Sequence, residues 1–526
     1  MTSVTSKTQK QLAFAAWAVS VLILILAVKN SSIWIDEGQT YSVIHASWNE
    51  FLNSVLFRGD AVSGMPLFFL FEFLWCRIFG FGEFAMRSIN LLMIPPLLIG
   101  AGKLLKSKDL PQWMVVFFAV NPVLLFYMNE ARPYVATFVC GLWCFLFLLR
   151  GGEKGMSQWD AVWFFFCFWI GCALHMMFVF MGAAYLSVLI WMKYKGVLRF
   201  REHILVWAWW ITAFLLLGAH YIRFMLNAPE VNAEKPVALQ SILQIFYFFS
   251  GLSGLGWSRN ALRCMDFDLT VRIVAGTSLY ILSAMAVAVC CIRRKILLNP
   301  RVLLPTVCIA SSLLLAIVSN IVLRTRFWER HVIYLLPGCI LVVAMVCREL
   351  WLPPRMPAAR TFSICLGALL TISGIDIIVM DYYMKDDYRG TAELSRSFNA
   401  DHILFQGDAI TFRYYGLEGA WAETEAKIED EPLAGNVNIS IASPDMMRVL
   451  ARRLNGRSIV VLSEKDEFDK YGFYKRSSGM KDAVNLESFL IFPVDSIADD
   501  WLAMINIGSS PDDPAETAPE NGESGL

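Results

Sequence analysis

The stretch PLFFLFEFLWCRIFG, Pro66 to Gly80, decides how this chain is threaded. It looks like a membrane span, yet it holds only about 14 apolar-rich residues where about 20 are needed, and Glu72 and Arg77 stand inside it. Longer apolar runs lie near 12-29, 84-102, 112-129, 133-149, 160-174, 176-192, 203-220, 269-292, 302-322, 331-347 and 361-380, which predicts about 11 transmembrane helices. Between them sit the basic clusters KLLKSK (Lys103 to Lys108), RGGEK (Arg150 to Lys154), KYKGVLRFR (Lys193 to Arg201), RRK (Arg293 to Lys295) and the loop from Arg348 to Arg360. Leaving Pro66 to Gly80 out of the count puts all of these on the cytoplasmic side, as the positive-inside rule requires. Counting it inverts everything downstream. The segment is therefore expected to be an interfacial or re-entrant helix, and the same reasoning sets aside Ser241 to Trp257.

Composition agrees with a polytopic α-helical membrane protein. Of 526 residues, 57% are hydrophobic and only 17% charged, outside the range of ordinary soluble domains. Lys+Arg and Asp+Glu balance at 45 each, so no global field recruits nucleic acid, and functional charge must be local. The 12 cysteines lie mostly in apolar runs, which argues against a disulfide framework or a zinc site. Leu12 to Val28 reads as a retained helix, since no small-residue cleavage site follows it.

Residues 1-380 thus form a transmembrane domain and 381-505 a soluble one on the outer side. In the latter, YRGTAELSRSF and DMMRVLARRL read as helices and DHILFQ, NISIAS and RSIVVLS as strands, which predicts a small C-terminal α/β domain. The acidic, Pro-rich tail, 506-526, reads as disordered. No internal repeat is found, unlike in many transporters.

On this threading the unusual polar residues collect on the outer face. In WIDEGQTYSV, Trp34 to Val43, Asp36 and Glu37 either end the first helix in solvent or, held among Trp34, Tyr41 and Trp48 at a wet and dry boundary, act as bases. The amphipathic stretch SWNEFLNSVLF follows them. Glu130 and Arg132 in NEARPY either pair with each other or share a site, close to the bilayer because Pro133 starts the next helix. Arg324, Arg326, Arg330 and His331 make a basic knot above a span, and a lipid phosphate is the larger unmet counter-ion beside Glu329. His175, alone in a tight turn, reads first as structural. There is no Gly-rich nucleotide loop, no HExxH and no Ser-His-Asp grouping.

Taken in order, IWIDEGQTY, GMPLFFLFEFLWCRIFGFGEFAMRSIN, NPVLLFYMNEARPYVA, RFWERHVIYLLP and DDYRGTAEL resemble bacterial membrane glycosyltransferases of the GT-C superfamily. The likeness is to the protein O-mannosyltransferases and the lipid A aminoarabinose transferase, over residues 12 to about 500 and strongest in the first 150. It implies a multi-pass protein of the bacterial cytoplasmic membrane. Its expected activity is inverting transfer of a sugar from a polyprenyl-phosphate donor to a protein, lipid or glycan acceptor on the outer side. The resemblance makes Asp36 the base, with Glu37 beside it in the active site. It puts Glu130, Tyr41, Tyr134 and His175 on the acceptor and sugar, and Arg132, Arg330, His331, Tyr388 and Arg389 on the donor phosphate. A phosphate leaving group needs no protonation, so one base and a cationic clamp suffice, unlike the two-carboxylate glycosidase scheme.

Two departures stand out. Gly64-Met65-Pro66 replaces a basic residue or His-Pro-Pro, and His331 stands where Tyr is usual. Adjacent acids are not a DxD ligand pair, so no essential metal or other cofactor is expected. The competing classes are a lipid-glycan transporter or flippase, for which charges are expected at mid-membrane rather than at helix ends, and a non-catalytic glycan-recognition subunit.

Overall fold

The computed structural model describes residues 6–57, 63–197, 239–251, 267–323, 329–351, 357–379, 387–398, 402–405, 409–416, 437–440, 457–463, 484–486 and 489–495, with scattered positions in 211–222 and at 253. It divides into two compact units. The first comprises Met1–Asn30 and Thr40–Met384, the second Ser31–Gln39 and Lys385–Leu526.

The first unit is helical. Among the described residues, 7 helices are long and apolar enough to cross a membrane: Lys7–Leu26, Glu83–Ser107, Tyr134–Lys154, Met176–Tyr194, Val274–Arg293, Pro300–Val322 and Glu329–Leu350. Tyr134–Lys154 is the central one, with 78% of its apolar window buried, against 11% for Lys7–Leu26 at the margin. Phe14, Ile292 and Val322 are each more than two-thirds exposed on helix flanks, surface that only a non-aqueous surrounding accommodates. Gln158–Leu174 and Ser363–Val379 are shorter apolar helices. The run 203-220 and the helix expected at DMMRVLARRL lie largely or wholly outside the described residues, as does the tail.

The run 112-129 is not one helix. It is divided into Gln112–Val115, Val116–Ala119 and Pro122–Met128. Pro122 has no amide hydrogen and disfavours helical backbone at Asn121, which is extended (φ -65, ψ 121). Asn121 then caps the last piece, its side chain accepting from the amides of Val123 and Leu124. A hydropathy average over the run hides this break.

The two segments left out of the span count are helices of 14 residues (Pro66–Phe79) and 11 residues (Leu239–Phe249). At 1.5 Å per residue the longer rises about 21 Å, short of the roughly 30 Å hydrocarbon core. Its two charges are both accommodated by protein. Glu72 is fully buried, and Arg77 donates to the Ala46 carbonyl at 2.7 Å and lies over the Phe73 ring at 4.7 Å.

The second unit carries a five-stranded mixed sheet in the order β2-β1-β3-β5-β4. β1 (His402–Phe405) runs parallel to β2 (Val437–Ser440) and β3 (Arg457–Ser463). β5 (Phe489–Asp495) is antiparallel to both β3 and β4 (Val484–Leu486). Helix Tyr388–Ser397 begins where Asp387 accepts from the Gly390 amide at 2.9 Å, and helix Ala409–Tyr414 follows β1.

Candidate active site

The acids of WIDEGQ begin a helix, Ile35–Ile44, rather than a loop. Trp34 acts as its cap: the amides of Glu37 and Gly38 donate to the Trp34 carbonyl at 2.9 and 2.8 Å, and the Trp34 amide donates back to Glu37 Oε2 at 3.4 Å. Both acids sit in the first turn, where the helix dipole favours negative charge. Successive residues point about 100° apart on a helix. Glu37 is accordingly fully buried while Asp36 is half-buried, so adjacent acids have different surroundings.

Within the second unit this segment is held by residues far along the chain. The Ile33 amide donates to Tyr415 Oη at 2.6 Å, and the Arg389 amide donates to Ser32 Oγ at 3.1 Å. Gly38 lies against Thr411: a Cβ there would collide with Thr411 Oγ1 and come within 3.2 Å of its Cα. The Tyr388 ring is fully buried, 4.9 Å from Phe412, with Arg389 beside it half-buried.

Within the first unit the NEARPY turn is braced from below. Asn90 Nδ2 donates to the carbonyls of Glu130 (2.7 Å), Met128 (3.2 Å) and Tyr127 (3.4 Å). Thr40 Oγ1 donates to the Ala131 carbonyl, and Asn129 Oδ1 accepts from the Lys29 amide, whose own carbonyl takes Arg87 Nη1. Glu130 and Arg132 are thereby held buried at a helix end. Across from them, Tyr127 Oη donates to Glu329 Oε1 at 3.0 Å. A row of rings follows: Tyr127 to Tyr134 at 4.6 Å, Tyr134 to His175 at 6.0 Å, His175 to His331 at 5.6 Å.

His175 caps the short helix after it, Nδ1 accepting from the Met177 amide at 3.2 Å, so the ring is neutral at that nitrogen. Burial, then the guanidiniums of Arg330 and Arg132, hold its pKa down to about 3. Two arginines almost 200 residues apart in sequence therefore act on one imidazole. The Met176 amide donates to the Gly64 carbonyl at 3.0 Å, which ties the Gly64-Met65-Pro66 loop to the same turn.

No family model matches the chain, and no curated protein matches it. Solved structures are similar to it, among them two of one protein. ArnT from Cupriavidus metallidurans bound to undecaprenyl phosphate is 10% identical, with 94% of this chain and 98% of that one covered and a TM-score of 0.46. The apo state of the same protein is also 10% identical, with 92% and 98% covered and a TM-score of 0.49.

Of the residues singled out from sequence, Glu130, Arg132, Tyr134, His175, Arg330 and His331 come together in the first unit. Tyr41 stands with His45 and Phe81, at 5.0 and 6.2 Å. Asp36, Glu37, Tyr388 and Arg389 belong to the second unit, and Arg324 and Arg326 lie outside the described residues. Sequence reading missed Arg87 and Asn90, although both are polar residues at the start of an apolar run, a signal in its own right. It also missed Tyr415 and Thr411, for which no local signal exists.

Chemically, the first-unit cluster offers two planar guanidiniums beside the neutral His175 imidazole, a second imidazole and two phenols in a largely buried setting, which suits a phosphate. The second-unit turn offers one accessible carboxylate and one backbone-tied carboxylate. Among the described residues no group of three or more His, Cys, Asp or Glu is placed to hold a metal ion.

Proposed function

We propose that this protein is an inverting glycosyltransferase that moves a sugar from a polyprenyl-phosphate donor to an acceptor at the outer side of the bacterial cytoplasmic membrane. The observation that carries the reading is the ring row Tyr134, His175 and His331, with neighbouring centroids 6.0 and 5.6 Å apart, which brings the segments of Arg132 and Arg330 together at the end of the central helix. Paired arginines at a bilayer boundary match a lipid phosphate in charge and in geometry. In the reaction, Asp36 takes the proton of the acceptor hydroxyl as its oxygen bonds to the anomeric carbon. The bond from that carbon to the phosphate oxygen breaks, and the phosphate leaves with the electron pair on its carrier, its charge met by the arginines. No proton is needed on the leaving group and no metal takes part. Glu37, Glu130, Tyr41 and Tyr134 position sugar and acceptor, and His331, Tyr388 and Arg389 support the phosphate side.

Arg330→Ala is expected to weaken donor use by about 1.5 to 3 kcal/mol, the typical cost of one charge-assisted contact, measured as kcat/KM of purified protein with a synthetic polyprenyl-phosphate sugar. Arg330→Lys rescues only in part, because the planar fork is lost. Unchanged donor affinity in the Ala variant reassigns Arg330 to a structural pair. Sidedness has its own test. Cysteines at Lys106 and Lys195 are expected to be shielded from an impermeant maleimide on intact cells, and cysteines at Ser47 and Glu393 to react. Labelling of position 106 from outside overturns the threading through Pro66–Phe79.

A further inference from the structure

A cavity of about 420 Å³ lies at the end of the first unit remote from the NEARPY turn. The central helix Tyr134–Lys154 joins the two: its first residue follows the turn and Gly152 and Glu153 near its last line the cavity, so they are separated by about 30 Å of helix. Four helix ends that the charge pattern assigns to the cytoplasmic side meet here. Two close in the same turn geometry. The Val197 amide reaches back to the Met192 carbonyl and the Gly196 amide to Lys193, with Gly196 at φ +69, which sets Lys195 at the rim. The amides of Leu110 and Asp109 likewise reach back to Leu105 and Lys106, with Asp109 at φ 54 in the position glycine usually fills. The fourth end is the start of helix Pro300–Leu323, where Asn299 Oδ1 accepts from the Arg301 amide. Its Leu304 packs against Gly152, where a Cβ would come within 2.6 Å of Leu304 Cδ2, so the floor is closed.

The lining is charged and unevenly committed. Lys108 is buried, its Nζ 2.6 Å from Glu153 Oε1, and Arg348 Nη1 holds its carbonyl. Arg301 meets Asp109 only at 3.8 Å with both side chains more than half exposed, a pair worth little in water. Lys195 is exposed at the rim, its Nζ 5.3 Å over the Trp191 ring. Three cations against two carboxylates leave one positive charge, with two of the cations free to turn inward. The neighbouring Ile190 and Tyr194 are 70% and 81% exposed, which places the mouth at the headgroup level of a bilayer.

We propose that this cavity binds the phosphate of an anionic membrane phospholipid, with Lys195 and Arg301 as the contacting cations and Lys108–Glu153 as the fixed floor. Basic pockets between helix ends at this depth fit a lipid phosphate, and Leu304 and Trp191 give the first acyl carbons an apolar wall. The test is native mass spectrometry of the delipidated full chain in detergent, titrated with phosphatidylglycerol or phosphatidylcholine. Phosphatidylglycerol is expected to bind about tenfold or more tightly than phosphatidylcholine, and Lys195→Ala with Arg301→Ala to remove that preference. A Lys7→Ala, Lys10→Ala control keeps it, and Lys195→Arg with Arg301→Lys keeps most of it. Equal binding of the two lipids, or a preference that survives the double alanine change, overturns the proposal. So does protection of Lys195 from acylation by millimolar inorganic phosphate but not by phosphatidylglycerol, which assigns the cavity to a soluble phosphate.

Discussion

Asp36→Asn is expected to slow sugar transfer by roughly a hundredfold or more while leaving donor binding intact, since general bases typically contribute 10² to 10⁴. The substitution keeps shape and hydrogen bonding and removes only the proton acceptor. Glu37→Gln serves as its partner experiment. Glu37 is fully buried and tied to the Trp34 amide, a bond that a glutamine oxygen also accepts, so its loss is expected to be milder. Single-turnover transfer by purified protein, with donor binding measured separately and folding followed by size exclusion, distinguishes the two. Normal turnover in Asp36→Asn with a dead Glu37→Gln exchanges their roles. Normal turnover in both reduces WIDEGQTYSV to a capped helix start, and the proposed chemistry falls with it.

The second large effect is on stability. Gly141, in the central helix, lies against the backbone of Tyr334: a Cβ there would sit inside the contact distance of the Tyr334 carbonyl oxygen and only 2.9 Å from its carbon. The atoms it meets are all Tyr334 backbone, so no flexible side chain yields. Gly141→Ala is expected to cost about 3 kcal/mol, at the upper end of overpacking effects, read as a drop in thermal midpoint in detergent. The segment it displaces, Glu329–Leu335, carries Arg330 and His331, so donor affinity falls as well. Gly182→Ala is the control of opposite sign, because a Cβ there meets only Phe168 Cζ at 3.9 Å and alanine is the better helix former. Equal stability of the two variants means that the close approach at Gly141 is absent.

Much of the helical unit was legible in the chain because apolar length and basic loops are local properties. Among the described residues seven of the expected spans are helices of sufficient length and hydropathy, and Asn121 and Ser157 cap helices where their residue types permit. The 112-129 run shows the limit of averaging: the Asn121-Pro122 break was written in the sequence, yet a window of apolar residues outweighed it. The NEARPY turn was equally readable, since Pro133 confines Glu130 and Arg132 to the helix end.

The sequence by itself determined a membrane protein with acids just past its first apolar run and arginines at helix ends, because hydropathy and charge are counted residue by residue. Which of two adjacent acids is buried, which arginines share an imidazole, and which tyrosine holds the acidic segment were decided only by tertiary structure. The Ile33 amide and Tyr415 Oη are 382 residues apart, and Tyr127 and Glu329 are 202 apart. Periodicity reports neighbours within a few turns of the chain. Contacts at these separations arise only from packing within each unit, helix against helix in the first and chain segments around the sheet in the second.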